Sequence, residues 1–466
     1  MARERDAVNM EKVKEFFGKI TVWLHHASPM KLILAGYCLI ILLGSLLLWM
    51  PVATKAGEAV PFSDAFFTAT SATCVTGLVR FDTYTCWSGF GQVVILCLIQ
   101  IGGVGFMTLA ITAMAVVGKK IGLQSRMLMQ NSISAPQLGG IVRITRFILL
   151  GTLLVEGIGA VLLAFYFVPR LGPGEGLWYS VFHSISAFCN AGFDLFGKFS
   201  PGSSLTSVAG NWYVNLVIIV LIVVGGLGFL VWKDLLDHRF SFSKLRLHSK
   251  IVLVTTAVLI CGGAACLFWL ETGNPAFESM SGGQKLLSSL FQSVTCRTAG
   301  FNSVNLSTLT QASQFVMIIL MLIGGSTGST AGGIKTTTAA VQLLSIRTIF
   351  RGRRSVEAYH RSIEDAVVRT ASCITCLYLL LSVGVGLVIS HLEAIPLLTS
   401  LFESVSAVAT VGLTLGITSQ LGMISKLLLA LLMIFGRAGS LTILLAFTSD
   451  KKKAAARYPV EKVTVG

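Results

Sequence analysis

Four short stretches of this chain end in the same kind of turn, and the chemistry such turns offer is that of backbone carbonyl oxygens. PFSDAFFTATSATCVTGL contains Gly77, GLWYSVFHSISAFCNAGF contains Gly192, GQKLLSSLFQSVTCRTAGF contains Gly300 and AIPLLTSLFESVSAVATVGL contains Gly412. Successive glycines are 115, 108 and 112 residues apart, so four periods fill nearly the whole chain. Phe67, Phe182 and Phe402 each precede their glycine by ten residues, and Phe291 precedes its own by nine. Glycine allows backbone that turns carbonyls inward without a Cβ clash. Stacked carbonyl rings in place of a hydration shell are how potassium filters bind their ion.

The elements that must position these turns follow from composition. Hydrophobic residues make up 54% of 466 and charged residues 12%, against roughly 25% charged in a soluble domain, and mean hydropathy is +0.79. A soluble enzyme and a disordered or fibrous chain are both excluded. Apolar runs long enough to cross a bilayer lie at about 32–51, 91–117, 147–168, 212–232, 251–270, 314–345, 367–390 and 423–447. With the N-terminus cytoplasmic, 27 Lys and Arg fall on that side and seven on the other, which sets both termini in the cytoplasm. The +15 net charge is then topology and contact with anionic lipid, and nucleic acid need not be invoked. The glycine turns follow stretches too short to span, as expected of re-entrant helices. Backbone that leaves helical geometry at this depth must be shielded or line a water-filled path, and four converging helix C-termini favour a cation. The expectation is an all-α polytopic membrane protein with eight spans in four span–pore-helix–span units, 31–120, 121–240, 241–350 and 351–448. Cytoplasmic segments 1–30 and 449–466 flank them. A second glycine landmark recurs in the second span of each unit, at 101–106, 224–229, 323–329 and 435–440.

TSATCVTGL, FCNAGFD, TCRTAGFN and GGSTGSTAGGIKTTT, within this four-fold plan, resemble the Trk/Ktr/HKT superfamily of potassium transporters over residues 30–450, most closely its bacterial Ktr membrane subunits. The first span begins near residue 32, which leaves no room for the extra N-terminal hairpin of TrkH-type members. The resemblance implies potassium transport with sodium as an activator, a homodimer, and a cytosolic RCK ring that alone carries nucleotide; no covalent cofactor is expected. The filter residues are then Val75, Thr76 and Gly77; Asn190, Ala191 and Gly192; Thr298, Ala299 and Gly300; and Thr410, Val411 and Gly412, with potassium at their carbonyls. Sodium-preferring plant relatives often carry serine at the first position, so Gly77 favours potassium.

Residues 324–338 place five glycines and a Ser/Thr run inside an apolar span, and each interior glycine costs a helix about 1 kcal/mol. A phosphate loop is excluded because Ile334 separates Gly333 from Lys335 and no strand precedes. A break here fits a gate, formed by Gly325, Ser326, Thr327, Gly328, Gly332, Gly333 and Lys335; a packed kink is the alternative. Arg437 stands where the first two units have Gly103 and Gly226. An intramembrane charge usually faces a polar interior, so Arg437 joins the gate set, with a purely structural anchor as the alternative. Glu156 is either its counter-ion or a structural carboxylate. His183 is a satisfied pore-helix residue, and Cys373-x-x-Cys376 on an apolar helix carries no redox role. No cleavable signal peptide is evident. An alternating-access carrier for another monovalent cation such as sodium remains as the competing class, although carriers of that kind show two-fold repeats with paired broken helices.

Overall fold

The computed structural model describes residues 29–105, 141–278 and 280–439, together with positions 127, 130 and 461. The expected segments 1–30 and 449–466, and the far ends of the spans 91–117 and 423–447, lie wholly or largely outside these residues.

The described chain is mostly helical, and its polarity is inverted relative to a water-soluble protein. Leu380, Phe165, Val258 and Leu431 lie on the outside, while Ser71, Thr73, His183, Ser186, Ser293 and Ser406 are fully buried. Lipid contact supplies no hydrophobic force between helices, so small residues and internal hydrogen bonds must hold the bundle.

Among the described residues, four helices are long and apolar enough to cross a membrane: α1 (Pro29–Trp49), α4 (Ile141–Leu171), α8 (Leu247–Leu270) and α12 (Asp365–Glu393). Each leads into a shorter helix: α2 (Phe62–Thr73), α5 (Pro173–Phe188), α9 (Gly282–Thr295) and α13 (Leu397–Val408). Each glycine turn comes next, and then a third helix: α3 (Gly89–Val104), α6 (Trp212–Leu227), α10 (Gln311–Leu322) and α14 (Met423–Ala438). Phe67, Phe182, Phe291 and Phe402 are all fully buried on the short helices.

A shared device docks three of the short helices. Ser184 Oγ donates to Glu156 O at 2.6 Å, Ser293 Oγ to Ile260 O at 2.9 Å and Ser404 Oγ to Ser382 O at 2.8 Å. In each case the acceptor helix brings a glycine, Gly159, Gly263 or Gly386, against that serine. The first unit has Ala69 at this position and instead brings Leu98 against Gly44.

Two features depart from the sequence expectation. The span 212–232, read as continuous, breaks at Gly228 (φ 96°), and α7 (Phe229–Asp237) turns away from α6 by 92°. Glycines at the same place, Gly105 (φ 88°) and Gly439 (φ 86°), end α3 and α14. The second landmark is therefore a helix stop in three units, and the broken span 314–345 is its extended version, with α10 and α11 (Thr336–Phe350) separated by loop 323–335. An uninterrupted apolar run conceals such a stop, because hydropathy does not register φ. The all-α expectation also misses a small antiparallel hairpin, β1 (Val356–Ala358) with β2 (Arg361–Ile363). Its two-residue turn places Tyr359 and His360 at positive φ, as type I′ hairpins require, without the usual Asn-Gly signal.

The first and last units meet through one buried carboxylate. Asp64 on α2 receives Lys426 Nζ of α14 at 2.6 Å and Arg80 Nη1 at 2.6 Å. Removing one partner of a buried ion pair leaves uncompensated charge at a cost of about 3–5 kcal/mol. Lys426→Met is expected to lower the thermal midpoint of the detergent-solubilised protein markedly. Asp64→Asn combined with Lys426→Met should recover most of the loss. Equal midpoints for wild type and Lys426→Met would show that Arg80 alone neutralises Asp64.

Candidate ion-conduction site

The four turns share one backbone conformation. Val75 (φ 56°), Asn190 (φ 58°), Thr298 (φ 69°) and Thr410 (φ 53°) are left-handed, and so are the glycines two residues later, Gly77 (93°), Gly192 (69°), Gly300 (84°) and Gly412 (91°). Left-handed backbone is costly for residues with a Cβ, so the first position of each turn needs support from its surroundings. A hydroxyl residue on the short helix supplies part of it. Ser71 and Ser406 accept from Gly77 N and Gly412 N, each at 3.0 Å, and Ser186 and Thr295 donate to Phe193 O and Phe301 O, each at 2.6 Å. Sequence reasoning missed these four, although a hydroxyl residue stands six, six, five and six positions before the respective glycines.

The turns close on one another in chain order. A Cβ added at Gly77 would lie 2.5 Å from the Ala191 carbonyl oxygen; at Gly192, 2.9 Å from Ala299 O; at Gly300, 2.6 Å from Val411 O. At Gly412 it would strike Thr76 O, which returns the circuit to the first turn. Each glycine thus faces the carbonyl that precedes the next glycine. The structure brings all twelve sequence-predicted turn residues together, every one of them buried.

One end of this ring opens to a cavity of about 280 Å³ bordered by all four glycines, with Arg80, Asp82, Asp194 and Thr414 on its walls. Burial pushes the Asp194 carboxyl up to about 7, against the opposing effect of the Phe196 backbone N–H. At the other end lies loop 323–335, which touches the second, third and fourth units. Gly332 packs on the Thr410 side chain, Gly333 lies 3.3 Å by its would-be Cβ from Ala409 O, and Gly324 approaches Thr298. Thr330 Oγ1 donates to Phe188 O at 3.1 Å, and Ser326 N to Gly226 O at 2.9 Å. Gly328 O accepts from Phe229 N at 2.8 Å, so the break in α6–α7 receives the loop.

The loop also ties itself together. Ser326 pairs with Thr336 at 3.0 Å, Thr327 with Thr337 at 3.2 Å, and Lys335 Nζ donates to Ala331 O at 2.8 Å. Gly325 stacks against Ala331. Arg437 donates to Thr330 O in the loop and to Gly102 O and Gly103 O of α3, the last at 3.0 Å. Arg437 therefore ties loop 323–335 to α3. Glu156 is occupied elsewhere, by Gln100 Nε2 at 3.0 Å and Cys189 Sγ at 3.6 Å, which fits its structural alternative. His183 holds Tyr179 O through Nδ1 at 2.7 Å and accepts Leu195 N at 3.2 Å, a satisfied helix residue as expected.

Gly102, Gly225 and Gly436 let their helices press on the last carbonyls of the short helices, Thr73 O, Phe188 O and Val408 O. Beside them, the hydroxyls of Thr73, Thr76 and Thr410 are buried without a hydrogen-bond partner. Among the described residues, the ring is built from backbone and hydroxyl groups, and none of its twelve turn residues is a carboxylate. Such a ring suits a desolvated monovalent cation.

The TrkH family profile, described as cation transport protein, matches residues 39–455. The potassium/sodium uptake protein NtpJ of Enterococcus hirae is 39% identical over 445 residues, covering 94% of this chain and 97% of that protein. The Ktr system potassium uptake protein B of Bacillus subtilis is 38% identical over 451 residues, covering 96% and 99%. The crystal structure of the potassium transporter TrkH from Vibrio parahaemolyticus superposes with a TM-score of 0.69 at 18% identity, over 89% of this chain and 84% of that one, and so shares the fold. The chain belongs to the TrkH/Ktr family of cation transport proteins.

Proposed function

We propose that this chain is the potassium-translocating subunit of a Ktr-type uptake system, in which the ion passes along the axis of the four glycine turns. The observation that carries this is the closed circuit in which each glycine faces the carbonyl before the next. Four repeats contribute eight spans, both termini are cytoplasmic, and the protein sits in a bacterial plasma membrane as a homodimer on a cytosolic RCK ring. Sodium acts as an activator. Potassium is the substrate, bound at the carbonyls of residues 75–77, 190–192, 298–300 and 410–412. A membrane potential contributes about 2.3 kcal/mol per charge per 100 mV, roughly 50-fold accumulation, so obligatory sodium coupling is unnecessary. The second broken helix, α6–α7, would favour a carrier were it paired across a two-fold repeat; its break instead receives loop 323–335. Growth rescue of a potassium-uptake-deficient bacterium at low potassium, with and without an RCK partner, tests the assignment. Failure of rescue by a protein that inserts normally would overturn it.

Gly77→Ser tests selectivity. The new Cβ would meet Ala191 O at a φ of 93°, a strain of about 1–2 kcal/mol, so potassium-over-sodium preference should fall roughly tenfold. Unchanged apparent affinities for both ions would remove Gly77 from the filter.

Deleting residues 326–337 should raise the maximal transport rate with little change in ion preference, because the loop blocks the path while the carbonyls choose the ion. Slower transport by a normally inserted deletion protein would make the loop a support. Arg437→Gln should likewise increase potassium flux and weaken control by the partner, since a guanidinium beside the path repels every cation and its five donors hold the loop. Arg437→Lys should be milder, keeping charge without the planar fork. Initial uptake in proteoliposomes, normalised to protein, is the measurement; abolished flux in Arg437→Gln would refute a barrier role.

A further inference from the structure

Away from the ring, a cavity of about 650 Å³ opens between α8 and α11 and is closed at one end by the β1–β2 hairpin. Its volume lies within the roughly 300–1,000 Å³ range of small-molecule sites, yet its walls are unlike a solute pocket. On α8 the lining positions are 251, 254, 255, 258 and 259, and on α11 they are 340, 343, 344, 347 and 348, followed by 351 at its C-cap. Both series follow helical spacing, so one face of each helix is committed to the groove. Val254, Val258 and Leu343 on these faces are exposed. Polarity changes abruptly along the groove: α11 contributes Leu343 and Leu344, then Arg347 and Arg351 one turn and two turns further on.

Those two arginines stand on one face at the C-terminal end of α11, where the helix carbonyls alone would repel an anion. Their charges reverse that local sign. Among the described residues, neither guanidinium has a carboxylate within 4.0 Å, whereas the neighbouring Arg353 is already paired with Glu357 at 3.2 Å. Lys250, 5.8 Å from the Tyr359 and Phe242 ring centroids, adds a third positive charge at the same end. An apolar trough running along two membrane helices, ending in two guanidiniums that no described carboxylate neutralises, complements a molecule with a long hydrocarbon tail and a phosphate head.

We propose that this groove is a binding site for an anionic glycerophospholipid of the cytoplasmic leaflet, its acyl chain along Val254, Val258 and Leu343 and its phosphate between Arg347 and Arg351. Guanidinium matches phosphate geometry with paired donors, and a neutral zwitterionic head would gain less from two uncompensated cations. The inference rests on the membrane orientation proposed above, but its readout is binding and does not depend on ion flux.

Native mass spectrometry of the full-length protein in mixed micelles provides the test. The probes are phosphatidylglycerol, phosphatidylcholine and, as a free phosphate without a tail, glycerol 3-phosphate. Wild type is expected to retain phosphatidylglycerol in preference to phosphatidylcholine, and glycerol 3-phosphate at millimolar concentration should not displace it. Arg347→Gln with Arg351→Gln should lower phosphatidylglycerol retention about tenfold or more, as expected for two basic residues at a lipid surface. Val258→Trp fills the trough from the opposite end and should lower it without touching a charge, which keeps the test decisive if the double variant fails to fold. Equal retention by wild type and Val258→Trp overturns the proposal. So does displacement by glycerol 3-phosphate, or a change from dimer to monomer in Val258→Trp with its lipid retained, which would assign the groove to a second copy of the chain. Loss of lipid with potassium uptake intact leaves the transport assignment standing; loss of rescue with lipid retained does the reverse.

Discussion

The architecture depends on one contact repeated four times: a left-handed glycine whose bare Cα faces the carbonyl before the next glycine. At 2.5–2.9 Å from a would-be Cβ for three of the four, any other residue must displace its neighbour and adopt a left-handed conformation. The constraint propagates outward. The left-handed residue two positions earlier must be held by its own helix, which requires Ser71, Ser186, Thr295 and Ser406 at the turn. Those helices must in turn be fixed in depth, which Ser184, Ser293 and Ser404 do through carbonyls of the long spans. In a lipid environment these hydrogen bonds replace the burial energy that would orient helices in water.

The loop and Arg437 form a second tier governed by the same economy of small residues. Because Gly102, Gly225 and Gly436 already press on the ends of the short helices, the space beneath the ring is narrow. Loop 323–335 fits there only with glycine at 324, 332 and 333, where backbone of one segment meets side chains or backbone of another. Arg437 contributes reach instead of bulk: one side chain joins a carbonyl of the loop to two carbonyls of α3. The unit with the long loop and the unit with the arginine are different, so this tier is assembled from two departures from the common pattern.

Much of the site was legible in the sequence because it is written in glycine at a fixed period. The four turns, the loop and Arg437 all break the local pattern visibly. What was missed lacks such contrast. Gly228 interrupts a run whose hydropathy continues on both sides, so only φ reveals the stop. The serine supports are short polar residues among many others, recognisable only once the repeats are aligned turn by turn. The Asp64–Lys426 pair joins positions 362 residues apart, and no periodicity links them. The hairpin at 356–363 uses Tyr359 and His360 where a turn would ordinarily show asparagine or glycine.

That pair has a consequence for how the chain is made. Three of the four boundaries in the circuit lie between units that follow one another directly along the polypeptide. The fourth, between Gly412 and Gly77, is a seam with no covalent neighbour across it, and Asp64 with Lys426 is the clasp at its edge. During synthesis the first three turns therefore emerge as an open arc, with Asp64 lacking Lys426 until α14 is inserted. The arc becomes a ring only once α14 is in place, so the circuit of glycines cannot close while the fourth unit is still being made.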